Sequence, residues 1–227
     1  MNESLTQKIR DDFDRLALYD REEWNHNNHY HQFLLKQLPD RCQTVLDLGC
    51  GTGQFSRLLA NRAEGVIALD LSPNSIQIAQ QRSQQFDNID YRVADVSQRD
   101  FPLEHFDAIA SIATVHHLSI EQLIPKLKAA LKPGGVLIIL DLLEHHNLMD
   151  ALSDAIAVPL NCWLLKVNNG PLKPDLEAVA AMKEHLRTDK YLNFLQAKKV
   201  YTSLLETAKV RRHLFWRYSV VWQKPIS

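Results

Sequence analysis

Residues 45–53 read Val45-Leu46-Asp47-Leu48-Gly49-Cys50-Gly51-Thr52-Gly53, an apolar run that enters three glycines at alternate positions. Without a Cβ, glycine lets a chain turn tightly and lets a ligand lie against backbone N–H groups at the start of the helix that follows. The chain has seven glycines, and three of them stand here. Such a loop is also an ordinary strand-to-helix turn, so its neighbours decide its meaning. Asp70 ends the second candidate strand and Asp95 the third, and acidic strand ends in register with a glycine loop suit a bound nucleoside.

Outward from that loop, β-rich runs alternate with helical stretches. Strands are expected at 44–48, 65–71, 89–96, 106–112 and 135–141, with helices at 54–62, 73–86 and 120–131 between them. This alternation builds a mostly parallel sheet covered by helices. Ser72-Pro73 reads as an N-cap with proline in the first turn, and Lys132-Pro133-Gly134-Gly135 as a helix stop before a buried strand. Pro125 predicts a kink or a late start in the third helix.

Two regions depart from the alternation within a single domain, 1–227. Residues 1–38 are polar and helical in pattern, with Phe13, Leu16, Phe33, Leu34, Leu35 and Leu38 available for packing, and are expected to form a lid. Residues 142–208 are expected to form a helical cap beside the ligand cleft, interrupted at Asn168-Asn169-Gly170-Pro171. Its apolar residues Leu148, Met149, Leu152, Ile156, Leu160, Trp163 and Leu164 would wall the cleft. The tail supplies two strands, 210–215 and 217–223, with an antiparallel return. The mix of basic and aromatic residues in that tail is the alternation of a strand with one wet face.

LDLGCGTG, ALDLSPNSIQIAQ, VADVSQRDFP, FDAIASIATVHHL and LKPGGVLIILD together resemble the five strand motifs of class I S-adenosylmethionine-dependent methyltransferases, in the small-molecule branch of type 11/12. The resemblance implies a Rossmann-like, mostly parallel seven-stranded sheet with helices on both faces and an antiparallel C-terminal strand. It implies S-adenosylmethionine as cofactor, with S-adenosylhomocysteine as its product. By the same resemblance Gly49, Gly51 and Gly53 would approach the methionine part, Asp47 would orient its amino group or the loop, and Asp70 would hold the ribose. Asp95 and Val96 would read the adenine, with Cys50, Thr52, Leu71 and Ala113 also at the cofactor. Tyr19-Asp20 is similar to the tyrosine-aspartate pair with which that branch often begins, so Tyr19 would close over the cofactor.

Methyl transfer needs alignment of donor and acceptor and exclusion of water, and a base is optional. Among ten histidines, His116 follows the fourth strand at the ligand-binding edge and is the first candidate base. Trp24-Asn25-His26-Asn27-Asn28-His29-Tyr30-His31, read as a helix, puts His26, Tyr30 and Phe33 on one face and makes His26 the second. Neither His26, His29 and His31 nor Asp141, Glu144, His145 and His146 shows the spacing of a known metal motif, so no metal is expected.

The fourth strand lacks the Asn/Asp-Pro-Pro-aromatic turn of amino-methylating nucleic-acid enzymes, and Lys plus Arg (26) balances Asp plus Glu (27). A small-molecule acceptor, and no nucleic acid, is therefore expected. No signal peptide or bilayer-length run is visible, and three scattered cysteines suit a reducing cytoplasm. A dinucleotide fingerprint would need its third glycine where Gln54 stands, which disfavours an NAD-linked oxidoreductase. A regulatory protein that binds the nucleotide without turnover stays open at the level of sequence.

Overall fold

The computed structural model describes residues 3–144, 148–170, 175–187 and 189–226. Its seven strands are β1 (Cys42–Leu48), β2 (Ala63–Asp70), β3 (Ile89–Val93), β4 (Phe106–Ile112), β5 (Leu131–Leu142), β6 (Lys209–His213) and β7 (Arg217–Gln223). They form one sheet in the order β3-β2-β1-β4-β5-β7-β6. Strands β1 to β5 pair in parallel, whereas β7 runs antiparallel to both β5 and β6. The order reverses between β1 and β4, which opens a crevice at the carboxyl ends of these strands.

Both faces are covered, which is why β1, β4 and β5 read as nearly continuous apolar runs. Side chains alternate between the faces. Val45, Ala108 and Ile138 meet α3 (Gln54–Ala60) and α4 (Pro73–Arg82) through Phe55, Leu59 and Ile76. Leu46, Ile109 and Leu137 meet α5 (Ile120–Ala130) and α8 (Phe194–Leu204) through Leu123, Ile124, Leu127 and Tyr201. The remaining helices are α1 (Glu3–Ala17), α2 (His31–Leu35), α6 (Leu148–Asn169) and α7 (Leu176–Leu186). No helix of the described residues is long and apolar enough to cross a membrane.

Several boundaries differ from the sequence reading. The Ser72 hydroxyl does cap α4, accepting from the Ser75 N–H at 3.0 Å. Helix α5, however, begins at Ile120 and runs through Pro125, because Leu123, Ile124, Leu127 and Ala130 bury a face that outweighs one lost backbone bond. Strand β3 stops at Val93 and β5 already starts at Leu131, so the Pro-Gly-Gly stretch lies inside a strand with an irregular register. The stretch from Trp24 to Tyr30 is not a continuous helix. Asn25 Oδ1 accepts the backbone N–H of Asn27 and of Asn28, and this local bonding competes with helix formation and leaves only a single 3-10 turn at Asn28–Tyr30.

Candidate active site

The glycine loop is held from three sides. The N–H groups of Gly49 and Cys50 both donate to the Leu69 carbonyl, at 2.8 and 3.0 Å. The Gly51 N–H donates to Asp70 Oδ2 at 2.8 Å, and the Ser72 N–H to Asp70 Oδ1 at 2.9 Å. Gly49, Gly51 and Gly53 all have positive φ, which an L side chain adopts only under strain. A Cβ on Gly49 would stand 1.9 Å from Thr114 Oγ1, and one on Gly53 would stand 2.3 Å from the Tyr91 hydroxyl. At Gly51 nothing lies within 4 Å of that position, so this glycine opens onto free space.

That space is a cleft of about 230 Å³ along the carboxyl ends of β1, β2 and β4. Gly49, Gly51, Asp70, Leu71, Asp95, Val96 and Ala113 line it, all of them expected cofactor residues. Burial pushes the Asp70 carboxyl up from its ordinary value, against the opposing pull of the Ser72 and Gly51 N–H groups. Asp95 Oδ1 accepts from the Ser97 N–H at 2.9 Å and from its hydroxyl at 2.6 Å, which orients the carboxyl in the loop two residues beyond β3. Ala113 sits at φ +52°, a strained position where β4 leaves the sheet. Carboxylates for hydroxyl or amino donors, an apolar wall at Leu71, Val96 and Ile112, and room above Gly51 fit an adenosyl ligand.

The other expected cofactor residues lie under or beside the loop and do not line the cleft. Asp47 is buried, accepts from the Ser56 hydroxyl at 2.6 Å, and is pushed up to about 7 by burial. Cys50 is buried, and the Gly53 N–H donates to its carbonyl at 3.0 Å. The Thr52 hydroxyl donates to Asp20 Oδ2. The Tyr19 hydroxyl donates to Glu177 Oε2 on α7 at 3.0 Å, so this ring turns to the cap and not onto the cleft. Its neighbour Asp20 is the anchor, taking bonds from Arg82 to its carboxylate at 2.8 Å and to its carbonyl at 2.6 Å.

The cover comes from α1, whose Ile9 and Phe13 line the cleft. Asp14 ties that helix to the start of α4, accepting from the Ser72 hydroxyl at 2.5 Å and the Asn74 N–H at 3.0 Å. Among the described side chains, none of the expected wall residues on α6 lines the cleft. Ile156 and Trp163 are 61% and 59% exposed, and Leu160 and Leu164 pack against the core. The side chains of Leu148, Met149 and Leu152, like His145 and His146, lie outside the described residues. Among the described residues no Lys or Arg lines the cleft.

The histidines also fall differently from the sequence reading. His26 stacks on Phe215 and bonds Asn161 Oδ1 through Nε2 at 2.8 Å, away from the cleft lining. His116 does not line it either: its Nδ1 sits 2.6 Å from Asp141 Oδ1, and its backbone N–H donates to Asp141 Oδ2 at 2.9 Å. His117 lines the cleft. Burial, with His116 close by, pulls its pKa down to about 4, so the ring is neutral at pH 7. Its Nε2 is buried and makes no hydrogen bond. The chain at and after the end of α7 brings His185 and Asp189 to this pair, with Asp189 3.8 Å from His116 Nε2 and 3.7 Å from His117 Nδ1. Sequence reading missed both residues; their i,i+4 spacing was the one local signal.

The family described as a methyltransferase domain matches residues 46–139. An uncharacterized methyltransferase of Mycobacterium bovis is 28% identical over 214 residues, 89% of this chain and 98% of the relative. A demethylmenaquinone methyltransferase of Tropheryma whipplei is 33% identical over 141 residues, 59% of each chain. Among solved structures, the complex of DhpI with SAH matches with a TM-score of 0.67 at 19% identity, covering 99% of this chain and 100% of that one.

The loop geometry predicts opposite outcomes for two alanine substitutions. Gly51→Ala adds about 1–2 kcal/mol of backbone strain and fills ligand space, so the protein should stay folded while affinity for S-adenosylmethionine falls at least about tenfold. Gly49→Ala drives a methyl group into Thr114 and should lower stability by more than about 2 kcal/mol. Thermal melts paired with calorimetric titration would check both.

Proposed function

We propose that this chain, which belongs to the class I S-adenosylmethionine-dependent methyltransferases and uses S-adenosylmethionine as its methyl donor, methylates a small-molecule acceptor held beside His117 at the end of β4. The observation that carries the proposal is the covered cleft, closed by Ile9 and Phe13 and without Lys or Arg among its described lining. A duplex or an RNA would need an open, cationic surface. The relative from Tropheryma whipplei, named for a quinone precursor, supports the same class of acceptor.

The donor, when bound, supplies a methyl group activated on a sulfonium. In our proposal Asp70 accepts from the ribose hydroxyls, Asp95 and the Val96 backbone contact the adenine, and Gly49 and Gly51 let the methionine part lie on the backbone. Leu71 and Ala113 complete the wall. Asp47, Cys50, Thr52 and Gly53 keep the loop in shape from below. Phe13, not Tyr19, closes the site and excludes water. His116, fixed by Asp141, positions the loop after β4, and His117 is the histidine that meets the acceptor. His26 has no place in the chemistry.

Purified protein given labelled methyl donor and a metabolite extract should label small molecules. Label found in RNA or protein but in no metabolite would overturn the reading. We also propose that residues 1–38 act as a lid over the donor, because α1 closes the cleft yet is tied down chiefly by polar contacts at Asp14, Asp20 and Arg15. Amide hydrogen exchange across residues 5–17 should slow when the donor saturates the site, and unchanged exchange would rule the lid out.

A further inference from the structure

We infer that His116, His117 and Asp189 form a binding site for one divalent transition ion, with Zn²⁺ the best-matched probe. One ligand atom from each lies within 4.8 Å of the other two. His116 Nε2 is 3.8 Å from Asp189 Oδ2 and His117 Nδ1 is 3.7 Å from Asp189 Oδ1, both too long for hydrogen bonds. With metal–ligand bonds of about 2.0–2.2 Å, ligands at tetrahedral corners stand roughly 3.3–3.6 Å apart. The contacts to Asp189 therefore need to close by a few tenths of an ångström, and the widest of the three pairs, within 4.8 Å, by up to about 1.5 Å. His185 Nε2, 3.3 Å from Asp189 Oδ2, stands at the same carboxylate as a further donor.

Three independent features point to a cation here. First, Asp141 and Asp189 are buried, with side chains 1% and 4% exposed, and among the described residues the ion pairs they make within 4 Å are with histidines. Arg217, buried and in electrostatic interaction with Asp141, makes its hydrogen bonds to Asn27 and to the Phe215 and Trp216 carbonyls. Arg217 offsets part of the charge at Asp141, and a divalent ion would supply compensation at Asp189. Second, Asp141 Oδ1 lies 2.6 Å from His116 Nδ1 and holds the ring with Nε2 on the side of Asp189. This is the outer-sphere carboxylate that metal-bound histidines commonly use. Third, Tyr191 donates to Asp189 Oδ2 at 2.7 Å, orienting the carboxylate in turn. An ion held there would tie the loop after β4 to the chain after α7, beside the cleft that His117 lines.

The site can be tested without donor or acceptor, so its failure leaves the methyltransferase reading untouched. Untagged full-length protein, stripped with chelator and dialysed, would be titrated with Zn²⁺ by calorimetry and with Co²⁺ by visible absorption. One equivalent of Zn²⁺ at submicromolar Kd and Co²⁺ bands of a nitrogen-oxygen site are expected. Asp189→Asn and His116→Ala should each weaken binding more than about tenfold, while His105→Ala, at an exposed histidine, should not. Absence of stoichiometric binding to the wild-type chain would overturn the inference by itself, even if a variant fails to fold. Unchanged affinity in both ligand variants would overturn it as well.

Discussion

The Asp70 carboxylate joins the two loops on which the cleft depends. One oxygen fixes the Gly51 N–H in the loop after β1, and the other fixes the Ser72 N–H at the cap of α4. A buried carboxylate is expensive to keep ionised, and burial does push Asp70 upward. Two backbone donors offset part of that penalty. Hydroxyl donors from a ribose bound there would offset more.

From that junction the rest of the site follows by attachment. Ser72, capped onto α4, also donates to Asp14, and Asp14 carries α1 across the cleft. Thr52 and Arg82 meet at Asp20, which fastens the end of the same arm to the loop and to α4. The cap enters through other contacts: Tyr19 reaches Glu177, Arg15 reaches Glu184, and Phe13 packs edge-on against His117 and His185. Cover, glycine loop and histidine cluster are thus one connected arrangement, in which movement of α1 would be felt at both ends of the cleft.

The strand-to-loop part of this arrangement was legible in the sequence because its information is local. Glycines at alternate positions, an aspartate at the end of each of two strands, and a Ser-Pro helix start all lie within a few residues of what they build. The roof was not legible in the same way. An apolar stripe such as Ile156 and Trp163 reads identically whether it walls a cleft or faces water, and here it faces water. The polar run around His26 was misread because asparagine side chains bond neighbouring N–H groups and displace the helix that spacing alone suggested. His185 and Asp189 gain their meaning only from contacts with His116 and His117, about seventy positions earlier in the chain, which no local pattern announces.

The central claim, that Asp70 holds an adenosyl ligand in this cleft, is tested most directly by calorimetric titration of S-adenosylhomocysteine into the wild-type protein and Asp70→Asn. Charge-assisted bonds to two ribose hydroxyls, each worth about 1.5–3 kcal/mol before losses elsewhere, should make the variant bind more than about tenfold more weakly at unchanged stoichiometry. Equal affinities in a variant that melts like the wild type would contradict the account and move the nucleoside away from Asp70.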